Sequence, residues 1–536
     1  MDNNRTILAV VLIVLLWSAY SLFFAPQQQQ IDNNVVETQQ NSDSVVVEKN
    51  TVQKDNDQKI DIKEDNNLID QQNLKERIIE VTNDFYKIKL NSKGASLSYI
   101  ELLKYKKDKE ENSENYILYD SENKIGNLLI SGSDGFYLPK NINYQLLTDE
   151  DNYDVTNQNL ELKFVADVNG VKIFKKYIFF KQSYHFDIAV EIINNSSNNI
   201  SGNLNIILDT PWDEDKKSQL YTFVGPVSYN GQDLLEDKPD DLNESPKTYK
   251  ENIVWSGYTS KYFLMALKPK DTVDQLYIDN NDTTIENIFT SDNFNLNDNN
   301  SVIFNYSAYF GPKQLEFLQE SNNQFEEIIH YGFFHPLAKP LIVVLKFFYN
   351  FTGNYGFSII LLTVCIKIIF WPLTQKSYKS MKGMQKLQPE MKRLKEKYGS
   401  DKQKLNQEMM AFYKEHKVNP LGGCLPMLIQ IPVFFALYRV LLASIELRHA
   451  PFILWITDLS AKDPYYVTPL IMGVTMFLQQ KMTPTNMDPT QEKIMLMMPV
   501  VFTFMFLNFP SGLVIYWLVN NLLTILQQYL IRRQPD

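Results

Sequence analysis

The sequence predicts a polytopic α-helical membrane protein with six transmembrane helices, five of them in a C-terminal core, and with a large extracytoplasmic antiparallel β-sandwich domain. One apolar segment lies at residues 6–24, and five more follow residue 354. Between them, apolar residues recur with a period close to two, which is typical of strands. Residues 25–335 contain 29 Lys/Arg and 51 Asp/Glu, whereas the rest of the chain contains 23 and 12. This charge difference indicates two regions in different compartments.

Residues 6–24 form an uncharged apolar segment that is long enough to cross the hydrocarbon core, which takes about 20 residues. A cleaved signal peptide is the alternative, since Arg5 precedes the segment. However, the segment exceeds the usual signal core, and Phe23 and Phe24 disfavour cleavage. We therefore predict an N-terminal transmembrane anchor at residues 1–26.

Two polar regions follow the anchor. Residues 27–73 are rich in Gln, Asn, Asp and Lys and have too little apolar surface to fold, so we predict a disordered tether. Residues 74–330 are predicted to form the β-sandwich domain. Runs such as YHFDIAVEII from Tyr184 and SVIFNYSAYFG from Ser301 are rich in β-branched and aromatic residues, and Asn, Gly and Asp turns separate them.

The C-terminal region begins with residues 331–354, which are apolar on one side and contain Pro340. This pattern predicts an interfacial amphipathic helix. Residues 355–533 are predicted to form the five-helix core. Its spans are expected at residues 355–371, 421–442, 465–480, 494–509 and 513–530.

Basic residues in the short loops predict the orientation of the chain. The loop at residues 373–419 contains 12 Lys/Arg and 5 Asp/Glu, and Arg532 and Arg533 follow the last span. The loops on the opposite side are poor in basic residues. Because Lys and Arg favour the cytoplasmic side, both termini are expected in the cytoplasm and the β domain outside it.

The basic loop at residues 373–419 is predicted to be an antiparallel helical hairpin. Met and Leu residues recur at steps of three and four until the sequence GSDKQ, where Ser400 and Gln403 have the spacing of a capping box. A second apolar stripe follows. The hairpin is either a packed helix pair with a solvated charged face or a docking surface for a ribosome, a nascent chain or another acidic partner.

Lys367 lies inside the first core span, where a charge costs about 2.5–3.5 kcal/mol near the bilayer centre. It precedes Pro372 by five residues, so its side chain could extend to the cytoplasmic interface. The alternative is that Lys367 faces a hydrated cavity in the bundle. No acidic residue lies within a span to pair with it. The polar residues that the spans offer for such a cavity are Thr363, Gln430, Gln479, Gln480, Trp517, Asn520 and Asn521.

The sequence offers little for catalysis. Its five histidines have no metal-ligand spacing, its two cysteines form no CxxC pattern, and it contains no nucleophile–base motif or phosphate-binding glycine loop. We therefore predict a non-enzymatic protein with no metal, no cofactor and no specific nucleic-acid sequence as partner. An acidic pair in the β domain stays open as a catalytic alternative.

Three core segments resemble a known family: NPLGGCLPMLIQIPVFFALYRVL from Asn419, DLSAKDPYYVTPLIMGVTMFLQQKM from Asp458 and FPSGLVIYWLVNNLLTILQQ from Phe509. They are similar to the YidC-type membrane protein insertases of the YidC/Oxa/Alb family, over about residues 355–533. The anchor and the external domain resemble the Gram-negative branch, in the bacterial inner membrane. The resemblance implies a periplasmic β-sandwich of galactose-mutarotase-like shape, which does not imply sugar chemistry.

The resemblance implies an insertase and chaperone that inserts and folds integral inner-membrane proteins. Its partners would be nascent membrane proteins, the lipid bilayer, the Sec translocon, the ribosome and the signal recognition particle receptor. Lys367 would be the positive charge of a hydrophilic groove open to the cytoplasm, at a position where bacterial relatives usually have arginine. Thr363 matches a groove threonine, and Trp517 stands where relatives often have tyrosine. The implied client-sliding surface comprises Leu425, Pro426, Ile429, Phe434, Phe504 and Met505.

Two other functions remain compatible with the residues. An anion or solute transporter would bind its substrate at Lys367 and would open alternately to both sides. A membrane-anchored carbohydrate-binding protein would use the β domain as its working part. Deletion of residues 83–318 would abolish that function, whereas an insertase core would retain most of its activity.

Overall fold

The computed structural model describes residues 75–533, except residues 111, 123–125, 213–221, 251, 282, 400, 417–424 and 484–488. The side chains of residues 425–429 also lie outside the description. The predicted anchor at residues 1–26 and the tether at residues 27–73 therefore lie outside the described residues.

The described residues up to Pro312 form a β-rich domain of twenty strands in three sheets. The five-stranded sheet has the order β4-β3-β2-β1-β7, and the nine-stranded sheet has the order β13-β12-β15-β16-β20-β10-β9-β8-β6. The six-stranded sheet has the order β14-β17-β18-β11-β19, and β5 also pairs with β11. The strands are β1 (Ile78–Thr82), β2 (Tyr86–Asn91), β3 (Ser96–Lys106), β4 (Asn115–Asp120), β5 (Leu129–Ser133), β6 (Gln145–Leu146), β7 (Asn152–Asp154), β8 (Leu160–Val168), β9 (Val171–Phe179), β10 (His185–Asn194), β11 (Ile200–Pro211), β12 (Gly225–Tyr229), β13 (Leu234–Glu236), β14 (Lys247–Tyr249), β15 (Trp255–Thr259), β16 (Phe263–Pro269), β17 (Val273–Asn280), β18 (Thr284–Ser291), β19 (Phe294–Leu296) and β20 (Ser301–Pro312).

The predicted period of two corresponds to alternating burial along the strands. In β9, every second residue is buried, and Ile173, Tyr177 and Phe179 are completely inaccessible. β10 pairs with β9 in antiparallel register, with Phe186 opposite Phe179. Since successive side chains of a strand point to opposite faces, one face of β9 and one face of β10 supply the core.

One pairing departs from the predicted antiparallel pattern. β7 lies parallel to β1, with Glu80 opposite Asn152 and Thr82 opposite Asp154. β7 has three residues and lies at the sheet edge, and the chain passes through β2 to β6 before it returns there. A hairpin would have imposed antiparallel pairing, whereas a long connection permits either direction.

Ten α-helices occur in the described residues, nine of them C-terminal to the β domain. The short 3-10 helices Phe325–Ile328 and Gly332–Phe334 connect the two regions, and a third, Ile445–Leu447, lies in a later loop. The α-helices are α1 (Pro239–Glu244), α2 (Leu315–Glu320), α3 (His335–Thr352), α4 (Tyr355–Lys386), α5 (Gln388–Tyr398), α6 (Lys402–Glu415), α7 (Leu425–Ala443), α8 (Val467–Met482), α9 (Pro489–Phe506) and α10 (Ser511–Arg533).

The hairpin predicted at residues 373–419 differs from its prediction at its start and at its turn. The first span was expected to end at residue 371, but α4 continues through Pro372 to Lys386, because a proline removes only one helix hydrogen bond and its neighbours can maintain the helix. The capping box at Ser400 was also wrong. The side chain of Asp401 accepts hydrogen bonds from the amides of Gln403 and Lys404, so α6 begins one residue later.

Among the described residues, two helices are long and apolar enough to cross a membrane by length and composition, α4 and the Ser511–Ile531 part of α10. Shorter apolar helices occupy Gln430–Ala443 and Met495–Phe506. Large apolar side chains remain exposed on these helices and on α8, as expected for a surface in contact with lipid. Examples are Ile368, Ile369, Leu470, Ile471, Val474, Met497, Val500, Val501, Leu522 and Leu526.

The β domain and the helices share a packed junction. Ile445, in the loop between α7 and α8, belongs to the hydrophobic core of the β domain. Lys346 on α3 forms ion pairs with Glu316 on α2, at 2.9 Å, and with Glu446, at 2.8 Å. Arg448 donates hydrogen bonds to the carbonyl oxygens of Lys106 and Lys107. α3 is therefore attached to both parts, while its Phe347 and Phe351 stay exposed.

Candidate functional site: a polar seam between helices α4, α7 and α10

The C-terminal half of α10 carries polar side chains that bond to α4 and α7, whereas its N-terminal half packs in an apolar core. Nζ of Lys367, halfway along α4, donates a hydrogen bond to Oγ1 of Thr524 at 2.8 Å. Thr524 in turn donates to the backbone carbonyl of Asn520 at 2.7 Å. Among the described residues, no carboxylate lies within ion-pair distance of Lys367. Its half-buried charge is therefore compensated by hydroxyl and carbonyl dipoles alone.

Two other residues predicted for the groove flank this lysine. Nε2 of Gln430 on α7 donates to Oδ1 of Asn520 at 2.6 Å, which joins α7 to α10. Thr363 is completely buried one turn before Lys367. Its hydroxyl donates to the carbonyl of Ile359 in its own helix, at 2.6 Å. Thr363 thus lies one turn from the lysine, and its hydroxyl hydrogen is already donated within its own helix.

The contacts that join Lys367, Thr524, Asn520 and Gln430 form a polar seam. Trp517 lies at its apolar boundary. Its indole packs edge-on against Phe434, with the ring centroids 4.8 Å apart, and stacks on Phe502 at 6.2 Å. Phe506 lies 5.3 Å away. The indole Nε1 is buried and has no hydrogen-bond partner among the described residues. An N–H donor is therefore held close to the other polar groups of α10.

The structure adds residues that the sequence reasoning missed. Nε2 of Gln528 donates to the hydroxyl of Tyr378 on α4 at 2.8 Å, and to Oγ1 of Thr483 at 3.1 Å. Gln527 and Gln528 are almost completely buried. The signal was present in WLVNNLLTILQQ, because polar residues recur there at steps of three and four and therefore share one helix face.

The predicted client-sliding residues fall into three groups. Phe504 and Met505 on α9 are 68% and 47% exposed, so they lie on the outer surface. Phe434 is half-buried and packs against Trp517. The remaining three, Leu425, Pro426 and Ile429, have side chains outside the described residues.

No group of three or more potential metal ligands occurs among the described residues. The seam itself contains amides, hydroxyls, one indole and one ammonium group, and these are suited to hydrogen bonding rather than to nucleophilic or acid–base chemistry.

The chain matches two family models over almost all of its described length. Residues 78–344 match the model described as the YidC periplasmic domain, and residues 347–536 match the model described as 60Kd inner membrane protein. A relative from Geotalea uraniireducens, named membrane protein insertase YidC, is 41% identical over 99% of both chains. The chain belongs to the YidC family of membrane protein insertases.

The chain also aligns with solved structures at low identity and low TM-score. A crystal structure of an active YidC insertase covers 86% of this chain and 93% of its own, with 18% identity and a TM-score of 0.36. A galactose mutarotase-like protein from Lactobacillus casei covers 44% of this chain and 99% of its own, with 10% identity and a TM-score of 0.30.

Membership of the YidC family establishes the general biology of the chain. It is an inner-membrane protein with a periplasmic domain and a helical insertase core, and its function is membrane protein insertion. The polar seam lies in the insertase core, between α4, α7 and α10.

Proposed function

We propose that this chain inserts and folds inner-membrane proteins, alone or with the Sec translocon, through a hydrophilic groove that opens to the cytoplasm between α4, α7 and α10. The burial and the hydrogen-bond partner of Lys367 support this groove. Its ammonium group is half-buried, is bonded to Thr524 and lacks an acidic partner among the described residues. A carboxylate on a client segment would supply the negative charge that Lys367 lacks as an ion-pair partner.

The groove lowers the cost of moving a polar client tail across the membrane. Each unsatisfied backbone group in hydrocarbon costs several kcal/mol, and a charge costs more. The amides and hydroxyls of the seam replace water for part of that path. The apolar segment of the client passes along the exposed surface of α9, at Phe504 and Met505, and enters lipid because lipid is its preferred solvent.

We also propose six transmembrane helices: the anchor at residues 1–26, together with α4, α7, α8, α9 and α10. Both termini and the basic hairpin are placed in the cytoplasm, where the hairpin would bind a ribosome or the signal recognition particle receptor. Single cysteines at Lys404 and Asn299, in a chain that lacks its native cysteines, test this topology. A membrane-impermeant thiol reagent added to intact spheroplasts should label the second and spare the first.

Insertion into proteoliposomes that contain only this protein tests the function. The client is a single-span protein with a short acidic tail, and protease protection of that tail is scored. We expect protection well above that of empty liposomes without nucleotide, because client hydrophobicity supplies the driving force. Protein that is folded and correctly oriented but gives no protection would contradict autonomous insertion. Anion flux in the same vesicles without insertion would support a transporter instead.

A further inference from the structure

One face of α10 carries a continuous stripe of polar side chains. Helical spacing of three and four residues places them within an arc of about 120° on one side of the helix, at about 100° per residue. The residues are Trp517, Asn520, Asn521, Thr524, Gln527 and Gln528. Except for Trp517, which is half-buried, each is at most 9% exposed.

Side-chain hydrogen bonds close this stripe against its neighbours. We call the set of contacts the amide seam: Lys367 to Thr524, Gln430 to Asn520, and Gln528 to both Tyr378 and Thr483. The contacts reach α4, α7 and the C-terminal end of α8. They hold the C-terminal half of α10 by polar bonds that can be exchanged, in addition to the apolar packing of its N-terminal half.

The amide seam is incompletely satisfied. Nδ2 of Asn521, Nε2 of Gln527 and Oε1 of Gln528 are buried and have no hydrogen-bond partner among the described residues. A buried polar group without a partner costs about 1–3 kcal/mol. Besides the indole Nε1 of Trp517, the closed seam therefore leaves two amide nitrogens and one amide oxygen that gain free energy when a suitable group arrives.

We propose that the amide seam is a hydrogen-bond exchange site that binds an extended client segment by its main chain. Asn521 and Gln527 donate to client carbonyl oxygens, and Oε1 of Gln528 accepts from a client N–H. This inference rests on the proposed insertase function and adds the chemical class that the groove recognises. Every peptide unit carries one acceptor and nearly every unit carries one donor, so the seam accepts polar segments of any sequence. Lys367 adds a preference for acidic segments.

The exchange is close to balanced in free energy. A client segment that enters the seam breaks contacts such as Gln430 to Asn520, but it supplies new partners for the same atoms. It also supplies partners for the three unpaired atoms, and it avoids placing its own backbone in hydrocarbon. A seam in which every polar atom had a partner would lose hydrogen bonds when a client entered. A seam of apolar side chains would offer no hydrogen-bond partners to the client backbone.

Backbone N-methylation of the client tests the recognition of main-chain groups. A semisynthetic single-span client receives a neutral tail of either glycine or sarcosine, so that Lys367 has no acidic group to attract. N-methylation removes the donor and makes the tail more apolar, so unassisted crossing should rise. The proposal expects the opposite in proteoliposomes, a fall in insertion of about tenfold. Sarcosines placed outside the translocated part of the tail are the control and should have no effect. Equal or better insertion of the translocated sarcosine tail would overturn the proposal.

A pair of substitutions tests the seam from the side of the protein. In the double variant Asn521→Leu, Gln527→Leu, apolar side chains of similar size replace two unpaired buried donors. The melting temperature of the full-length protein should stay or rise, while insertion of a neutral glycine tail falls about tenfold. The conservative variant Gln527→Asn should keep most activity. Thr475→Val is the matched control, since that buried hydroxyl bonds only to Met472 of its own helix.

Crosslinking and the melting temperature distinguish client binding at the seam from a purely structural role of these residues. Together with insertion activity, they also test the seam separately from the proposed function. A photoreactive group in the client tail reports binding to α10 directly, even when a client is not inserted. Crosslinks to α10 in the parent protein that disappear in the double variant support the seam. Crosslinks that persist, or a melting temperature that falls together with activity, would overturn it. Failure of the parent protein to insert any client, with crosslinks intact, would count against the proposed function alone.

Discussion

Lys367 shows how a single charge can be kept in an apolar helix. Its ammonium group donates to Thr524, which passes the hydrogen-bond chain to the carbonyl of Asn520. The sequence left two possibilities open, extension to the cytoplasmic interface or contact with a cavity between helices. The side chain bonds to α10, whose polar face it shares with Gln430. This arrangement supports the second possibility, which remains a proposal until clients are tested.

Charge reversal at Lys367 should separate acidic clients from neutral ones. Lys367→Glu should reduce insertion of an acidic-tailed client by about tenfold, which corresponds to about 1.4 kcal/mol. A neutral-tailed client should be affected much less, and Lys367→Arg should be tolerated because the charge is kept. Protease protection in proteoliposomes gives the measurement. Lys376→Glu, an exposed change on the same helix, is the control. Equal insertion by all variants would remove Lys367 from the mechanism.

Lys175 is a second unusual lysine, buried in the core of the periplasmic domain. Its Nζ donates to the carbonyl oxygens of Leu128, at 2.5 Å, and Gly94, at 3.3 Å. It also lies 5.3 Å from the ring centroid of Tyr177. Burial lowers the pKa of Lys175 from 10.5 to about 7, because no carboxylate offsets the loss of water.

The lowered pKa of Lys175 makes the stability of the periplasmic domain depend on pH. Between pH 7 and 10.5 the unfolded state binds more protons than the folded one, so the free energy of unfolding rises with pH there. The slope contributed by this group is at most about 1.4 kcal/mol per pH unit. Lys175→Met should flatten this rise in thermal unfolding curves, while Lys172→Met, at a partly exposed position of the same strand, should not. A slope unchanged in Lys175→Met would show that the lysine stays protonated.

At the scale of elements, α3 connects the periplasmic domain to the insertase core. Burial disfavours the charge of Lys346, but Glu446 and Glu316 outweigh burial and raise the pKa of Lys346 above its usual value. Glu316 belongs to α2 and Glu446 to the loop between α7 and α8. One ammonium group thus joins three segments that lie far apart in the sequence.

Removal of Lys346 should loosen α3. Lys346→Met leaves Glu446, whose side chain is 11% exposed, without its ion pair. Loss of one partner from a buried pair costs about 3–5 kcal/mol, and the partial exposure here should reduce that to about 1–3 kcal/mol. Hydrogen exchange of α3 amides in the full-length protein should become faster. Lys339→Met, an exposed change on the same helix, is the control. Unchanged exchange would show that apolar packing alone holds α3.

The helices also show where local sequence rules succeed and fail. The core helices were placed within a few residues of their observed bounds, since long apolar segments between polar loops leave few alternatives. The end of α4 was placed too early, at residue 371, because Pro372 lies inside a helix that continues to Lys386. The start of α6 shifted from Ser400 to Asp401, because two acceptor residues stood side by side and only the backbone decides which becomes the cap.

At the scale of the whole molecule, the two matched regions have separate chemical roles. The periplasmic domain buries its own core, and the insertase core contains the polar seam. They meet at Ile445 and at the ion pairs of Lys346. The seam contacts lie within the insertase core alone, so the groove does not depend on the β sheets for its polar groups.

Deletion of residues 83–318 should therefore leave most of the insertion activity, within about threefold of the full chain, while it lowers thermal stability. The physical reason is that the deletion exposes Ile445, which otherwise contributes roughly 1.5–3 kcal/mol by burial. Insertion per folded molecule in proteoliposomes is the measurement. The deletion combined with Ile445→Ser is the companion variant and should recover solubility. Complete loss of insertion in folded protein would assign a direct role to the periplasmic domain.

The sequence by itself determined the membrane character of the chain, the β-rich external domain, the approximate helices of the core and the family. Each follows from local periodicity, from charge balance or from motifs such as FPSGLVIYWLVNNLLTILQQ. Only the tertiary structure decided that Lys367 bonds Thr524, that Gln528 bonds Tyr378, and that β7 lies parallel to β1. These contacts join residues far apart in the chain, and a side chain's partner depends on how whole elements pack. Local patterns fix which face of a helix is polar, but packing decides what that face meets.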